Sequence, residues 1–69
     1  MYRQFQVALN HLLQEEGRGG QTRLATTKDI DRDYLNTIAK GRQVGSNETR
    51  ARIADHFETT FEEMLAFGR

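Results

Sequence analysis

The 69-residue chain contains no cysteine and no proline, carries no net charge, and has no apolar run approaching the length that crosses a bilayer, which takes ~20 residues. Without cysteine there is no disulfide framework and no thiolate metal site, so packing, helix capping or a partner chain must hold the fold. A chain this short buries a smaller fraction of its surface on folding than a longer one, so a single domain over residues 1–69 with a small core is the ceiling. The opening stretch "MYRQFQVALNHLLQEEG" mixes polar residues throughout, where a signal peptide would have an apolar centre. Nothing argues for secretion, and a cytoplasmic protein with no membrane partner is expected.

A net charge of zero at first sight speaks against nucleic acid, whose phosphates select basic proteins. The distribution is less even than the sum. Residues 17–52 hold eight cations, from Arg18 to Arg52, against the four carboxylates Asp29, Asp31, Asp33 and Glu48, a net of +4. The tail, residues 53–69, carries four carboxylates against Arg69, a net of −3. A solvated surface of mixed sign accounts for this as well as a basic patch does.

There is no β-branched run of period two and no internal repeat, whereas apolar residues recur at helical spacing, so an all-α domain of five helices is expected. In residues 2–16, Tyr2, Phe5, Ala8, Leu9, Leu12 and Leu13 fall on one face at ~100° per residue. The three glycines of "GRGG" end that helix and read as a linker. A short second helix spans about residues 21–28. Asp29 then stands at a sharp turn, and Asp tolerates the left-handed conformation better than most residues. Asp31 offers an N-cap to a third helix that runs to about Lys40 and ends at Gly41. After "GRQVGS", Ser46 can cap a fourth helix through residues 49–57 with Ile53, Ala54 and Phe57 inward. Thr60 and Glu63 have capping-box spacing for a fifth helix bearing Phe61, Met64 and Leu65.

The third helix is two-faced. Stepping ~100° per residue, Arg32, Asp33, Asn36, Thr37 and Lys40 share an arc of about 140°, and Tyr34, Leu35, Ile38 and Ala39 fill the other side. Any surface helix can look like this, so the abrupt acidic junction before it is the more informative feature.

That junction carries a resemblance. The segment "QTRLATTKDIDRDYLNTIAKG", residues 21–41, resembles the helix-turn-helix of the lambda-repressor and Cro-like group, the XRE family, matching it at Gln21, Leu24, Ala25, Ile30, Asp31, Tyr34, Leu35, Ile38 and Gly41 without a gap. The stretch "SNETRARIADHFETTFEEMLAFG" is similar to the family's last two helices, and "GRQVGSNETRARIA" looks like small repressors of phage type. Three positions depart from the pattern: Asp29 where Gly is usual, and Lys28 and Arg50 where apolar residues are common. A left-handed Asp29 costs on the order of 1 kcal/mol, and the other two are expected to thin the core.

The resemblance implies a recognition helix in the major groove of double-stranded DNA, with the preceding helix braced on the backbone. Arg32 fits bidentate contact with guanine, or alternatively a phosphate or an ion pair with Asp29 or Asp33; Asn36 fits adenine. Asp33 can accept from cytosine N4 or simply favour the helix N-terminus. Thr37 can meet a thymine methyl or a phosphate. By resemblance Gln21 bonds a phosphate while touching the recognition helix, and Arg23, Lys40 and Arg42 are candidate phosphate clamps.

Other chemistry is thinly represented. His11 and His56 have no second ligand at metal spacing, no nucleophile has a base nearby, and "GRGGQT" lacks the pattern of a phosphate loop. No enzyme, cofactor or metal is expected. The expectation is a transcriptional regulator, a repressor of phage or prophage type, bound as a homodimer to a palindromic operator and lying on the nucleoid when bound. Its rival is a protein-interaction module on the same fold, an antitoxin or adaptor docking through the acidic tail. The end at "AFGR" fits either a stand-alone regulator or the N-terminal part of a longer repressor.

Overall fold

The helical spacing of the apolar residues is realised as five α-helices in a computed structural model that describes residues 2–67. They are α1 (Tyr2–Glu16), α2 (Gly20–Thr27), α3 (Arg32–Ala39), α4 (Asn47–His56) and α5 (Phe61–Phe67), with no strand among the described residues. Each helix contributes a fully buried apolar side chain to one cluster: Leu9, Leu24, Leu35, Ile53 and Met64. Burying one such side chain is worth ~1.5–3 kcal/mol, so this shared centre is what holds five short helices that are individually too short to persist in water. The side chain of Tyr2, expected on the same stripe, lies outside the described residues. No helix among the described residues is long and apolar enough to cross a membrane.

Starts and stops follow local chemistry. Oδ2 of Asp31 accepts from the Tyr34 amide at 3.4 Å, and Oγ of Ser46 accepts from the Thr49 amide at 3.1 Å. With Ser46 as the cap, α4 begins at Asn47, two residues before the expected start. Thr60 Oγ1 accepts from the Glu63 amide at 3.1 Å and donates to the Glu63 carboxylate at 3.2 Å, so the capping pair forms.

Helices α2, α3 and α4 end alike. Each is followed by a residue at positive φ, Asp29 (53°), Gly41 (79°) and Glu58 (56°). In each, the amide two residues past the last capping position reaches back to a carbonyl in the final turn: Ile30 to Ala25, Arg42 to Thr37, and Thr59 to Ala54. This closure satisfies carbonyls that a helix end otherwise leaves open, and it requires the left-handed residue. Only Gly41 meets that requirement without a steric penalty.

Two expectations are corrected. The glycine segment is more than a linker: Gly20 is the first residue of α2 and is buried, and a Cβ there would lie 3.1 Å from both the Leu13 carbonyl oxygen and the Glu16 Cβ. Its missing side chain lets α2 close on α1. Nor does Arg50 leave the core short of a side chain, whereas Lys28 is half-buried and stands outside the buried cluster. Lys28 is paired with Asp55 of α4, and this hydrogen bond and charge hold the Asp55 carboxyl below its ordinary range. Arg50 is buried, its guanidinium 5.1 Å from the centre of the Phe61 ring, and so fills space between α4 and α5 that an apolar residue would otherwise occupy.

Candidate nucleic-acid interface

The turn between α2 and α3 is short because both of its ends are fixed. The left-handed Asp29 stops α2, buried Ile30 anchors the crossing, and Asp31 caps α3. Leu35, Ile38 and Ala39 are then driven inward, which turns the other face of α3 outward. On that face Arg32 and Lys40 are exposed and Asn36 is half-buried, at one-turn intervals.

Between α2 and α3 lies an open cleft of ≈ 500 Å³ whose lining includes Gln21, Thr22, Asp31, Arg32, Asp33 and Asn36. Across it Nε2 of Gln21 donates to Oδ1 of Asn36 at 3.5 Å. That bond leaves the second lone pair of Oδ1 and both Nδ2 protons of Asn36 available to another molecule. The cleft is polar and mixed in charge. Among the described residues that line it, Arg32 is the cation and sits between two exposed carboxylates, Asp31 and Asp33.

Arg32, Lys40 and Arg42 take part in no side-chain ion pair or hydrogen bond among the described residues. The expected alternative for Arg32, an ion pair with Asp29 or Asp33, does not form. Asp33 lies in the first turn of α3, where a negative charge favours the helix N-terminus. The Thr37 hydroxyl donates back to the Tyr34 carbonyl at 2.7 Å, so its proton is used within the helix.

Arg23 is differently employed. Its guanidinium donates to the Glu16 carbonyl at 3.0 Å and the Arg18 carbonyl at 3.2 Å, and lies 3.4 Å from the Glu16 carboxylate. It fastens the α1–α2 junction instead of extending free with Arg32, Lys40 and Arg42. Glu16 also bonds Nε2 of His56 at 2.7 Å, tying α1 to α4. His11, the other histidine, is exposed beside Glu15 at 3.0 Å.

Helix α1 supports α3 from behind. Nδ2 of Asn10 donates to the Ala39 carbonyl at 2.8 Å and Nε2 of Gln6 donates to the same oxygen at 3.3 Å. These two side chains close the C-terminal end of α3, and sequence reasoning passed over them. They are polar residues on an otherwise amphipathic helix, and the partner lies 29 residues away for Asn10 and 33 for Gln6. Comparison with family models, with curated proteins and with solved structures finds no match for this chain.

Proposed function

We propose that the chain is a sequence-specific, double-stranded-DNA-binding regulator, a repressor of phage or prophage type, whose α2 and α3 act as a helix-turn-helix of the lambda-repressor and Cro-like kind. It binds a palindromic operator as a symmetric homodimer and represses by occupying a promoter. The observation that carries this reading is the outer face of α3. Arg32, Asn36 and Lys40 stand one turn apart on it, the two cations without an ion pair among the described residues, while the inner face is buried.

An α-helix with its side chains is 10–12 Å across and the major groove is about 12 Å wide, so such a face can lie against base edges. Arg32 reads guanine and Asn36 adenine; Thr37 offers its methyl group to thymine, and Asp33 accepts from cytosine or serves the helix dipole. Gln21 holds a phosphate while orienting Asn36, and Lys40 and Arg42 clamp phosphates on the flank. Arg23 adds positive field near the backbone while its fork remains on the α1–α2 junction.

The net charge of zero favours the rival reading, a protein-interaction module. Gel shifts with random duplex at low and moderate salt separate the two, and site selection from a random duplex library shows whether half-sites are palindromic. Weak, salt-sensitive binding to arbitrary duplex with a selected two-fold site is expected. No binding at low salt overturns the DNA reading and leaves the interaction module.

A further inference from the structure

The loop between α3 and α4, residues 42–46, contains neither helix nor strand and is bounded or interrupted by glycines at φ 79° and 77°. Such a segment has little intrinsic reason to keep one shape. It is nevertheless fastened along its length. The amides of Arg42 and Gln43 donate to the Thr37 carbonyl at 2.9 and 3.4 Å, and the Ser46 amide donates to the Tyr34 hydroxyl at 3.0 Å. The carbonyls in between, of Val44 and Gly45, both accept from Nη1 of Arg50, at 3.1 Å for Val44. Nη2 of Arg50 donates to Oδ1 of Asn47, and the guanidinium lies against the Phe61 ring.

Arg50 is only 6% exposed, so a charged group has been taken out of water to make these bonds. The chemistry suits arginine specifically. A planar fork with five N–H donors can serve two loop carbonyls and a carboxamide at once while its face rests on an aromatic ring. A methionine would pack on Phe61 and leave both carbonyls without a donor. A lysine would keep the charge and lose the fork.

We propose that Arg50 is the positioning residue of the phosphate-contacting loop: by holding the Val44 and Gly45 carbonyls it fixes the course of residues 42–46 and so sets Arg42 where it meets the DNA backbone. This rests on the DNA-binding reading. Arg50 touches no DNA itself; it acts through Arg42, whose side chain is exposed and unpaired among the described residues.

The test compares the wild-type chain with Arg42→Ala, Arg50→Met, Arg50→Lys and the double variant Arg42→Ala/Arg50→Met. Each is titrated with random-sequence duplex over a range of salt, with helical content from circular dichroism and amide exchange of residues 43–46 followed in parallel. Both Arg50 variants are expected to keep their helices, to exchange faster at the Gln43 and Ser46 amides, and to lose about one unit of salt slope. The double variant is expected to lose no more slope than Arg42→Ala alone. Arg50→Lys at wild-type slope shows that charge alone matters and overturns the proposal, as do additive losses in the double variant or an unchanged slope in both Arg50 variants. If Arg50→Met unfolds, Arg50→Lys decides alone. A wild-type chain that binds no duplex sinks the DNA reading itself, an outcome distinct from wild-type binding that responds to Arg42 and ignores Arg50.

Discussion

Gln21 and Asn36, fifteen residues apart, share a hydrogen bond of 3.5 Å across the cleft between α2 and α3. Within the DNA-binding proposal, the bond makes the two carboxamides one unit: one end meets the backbone and the other a base. Gln21→Ala should then weaken binding to every sequence with little change in salt slope, since an uncharged amide displaces no counterion. It should also blunt the preference at the base read by Asn36. A double-mutant cycle on the selected site should give a coupling of ~0.5–1 kcal/mol. Strict additivity would show that the bond has no part in recognition.

Replacing both Arg32 and Asn36 with Ala leaves inward Leu35 and Ile38 untouched, so helical content should survive. The variant should keep its weak, salt-sensitive binding to arbitrary duplex and lose the selected site. Each single replacement should relax one or two positions per half-site, at about 1–3 kcal/mol each. A double variant that still selects the parental site means that α3 is not the reader.

The two arginines expected to clamp phosphates should separate. Arg42→Ala should lower the salt slope by about one unit at unchanged stability, because its side chain has no partner among the described residues. Arg23→Ala should lower stability by about 0.5–1 kcal/mol, discounted for its exposure, and leave the slope nearly unchanged, because its guanidinium serves the Glu16 and Arg18 carbonyls. Thermal melts and salt titrations of both variants check the division; a full unit of slope lost with Arg23→Ala reverses it.

Asp29→Gly should raise stability by up to ~1 kcal/mol, net of the greater unfolded-state freedom of glycine, and Glu58→Gly should behave similarly. Gly41→Ala should do the opposite by ~1–2 kcal/mol, since its residue sits at φ 79° and a Cβ would come within 2.6 Å of the Gln6 carboxamide. Denaturant midpoints decide it, and a lowered midpoint for Asp29→Gly contradicts the strain assigned to that turn.

Acid should weaken the α2–α4 contact. The hydrogen bond and charge of Lys28 hold the Asp55 carboxyl below its ordinary value. The stability this contributes is therefore present above the unfolded pKa, about 4, and is lost as pH falls through the folded pKa. Melting curves from about pH 6 down to about pH 3 should fall less steeply for Lys28→Met than for the wild type. Parallel pH dependences would show that the pair contributes nothing to the acid limb.

The sequence by itself determined the five helices, most of their ends and which face of each turned inward. These are local matters. The spacing of Leu35, Ile38 and Ala39, the carboxylate of Asp31 before a helix and the tolerance of Asp29 for positive φ act over a few residues, where the chain's own geometry fixes who is adjacent. The tertiary structure decided what spacing cannot encode: that Arg50 goes inside to hold the α3–α4 loop, that Arg23 is taken by the end of α1, and that Asn10 and Gln6 close α3 from 29 and 33 residues away. A long polar side chain can reach several partners, and which one it meets depends on where separate helices come to rest once their apolar faces have packed. The same residue type therefore reads alike along the chain at Arg23, Arg42 and Arg50, and only packing made one a fastener, one an exposed cation and one a buried support.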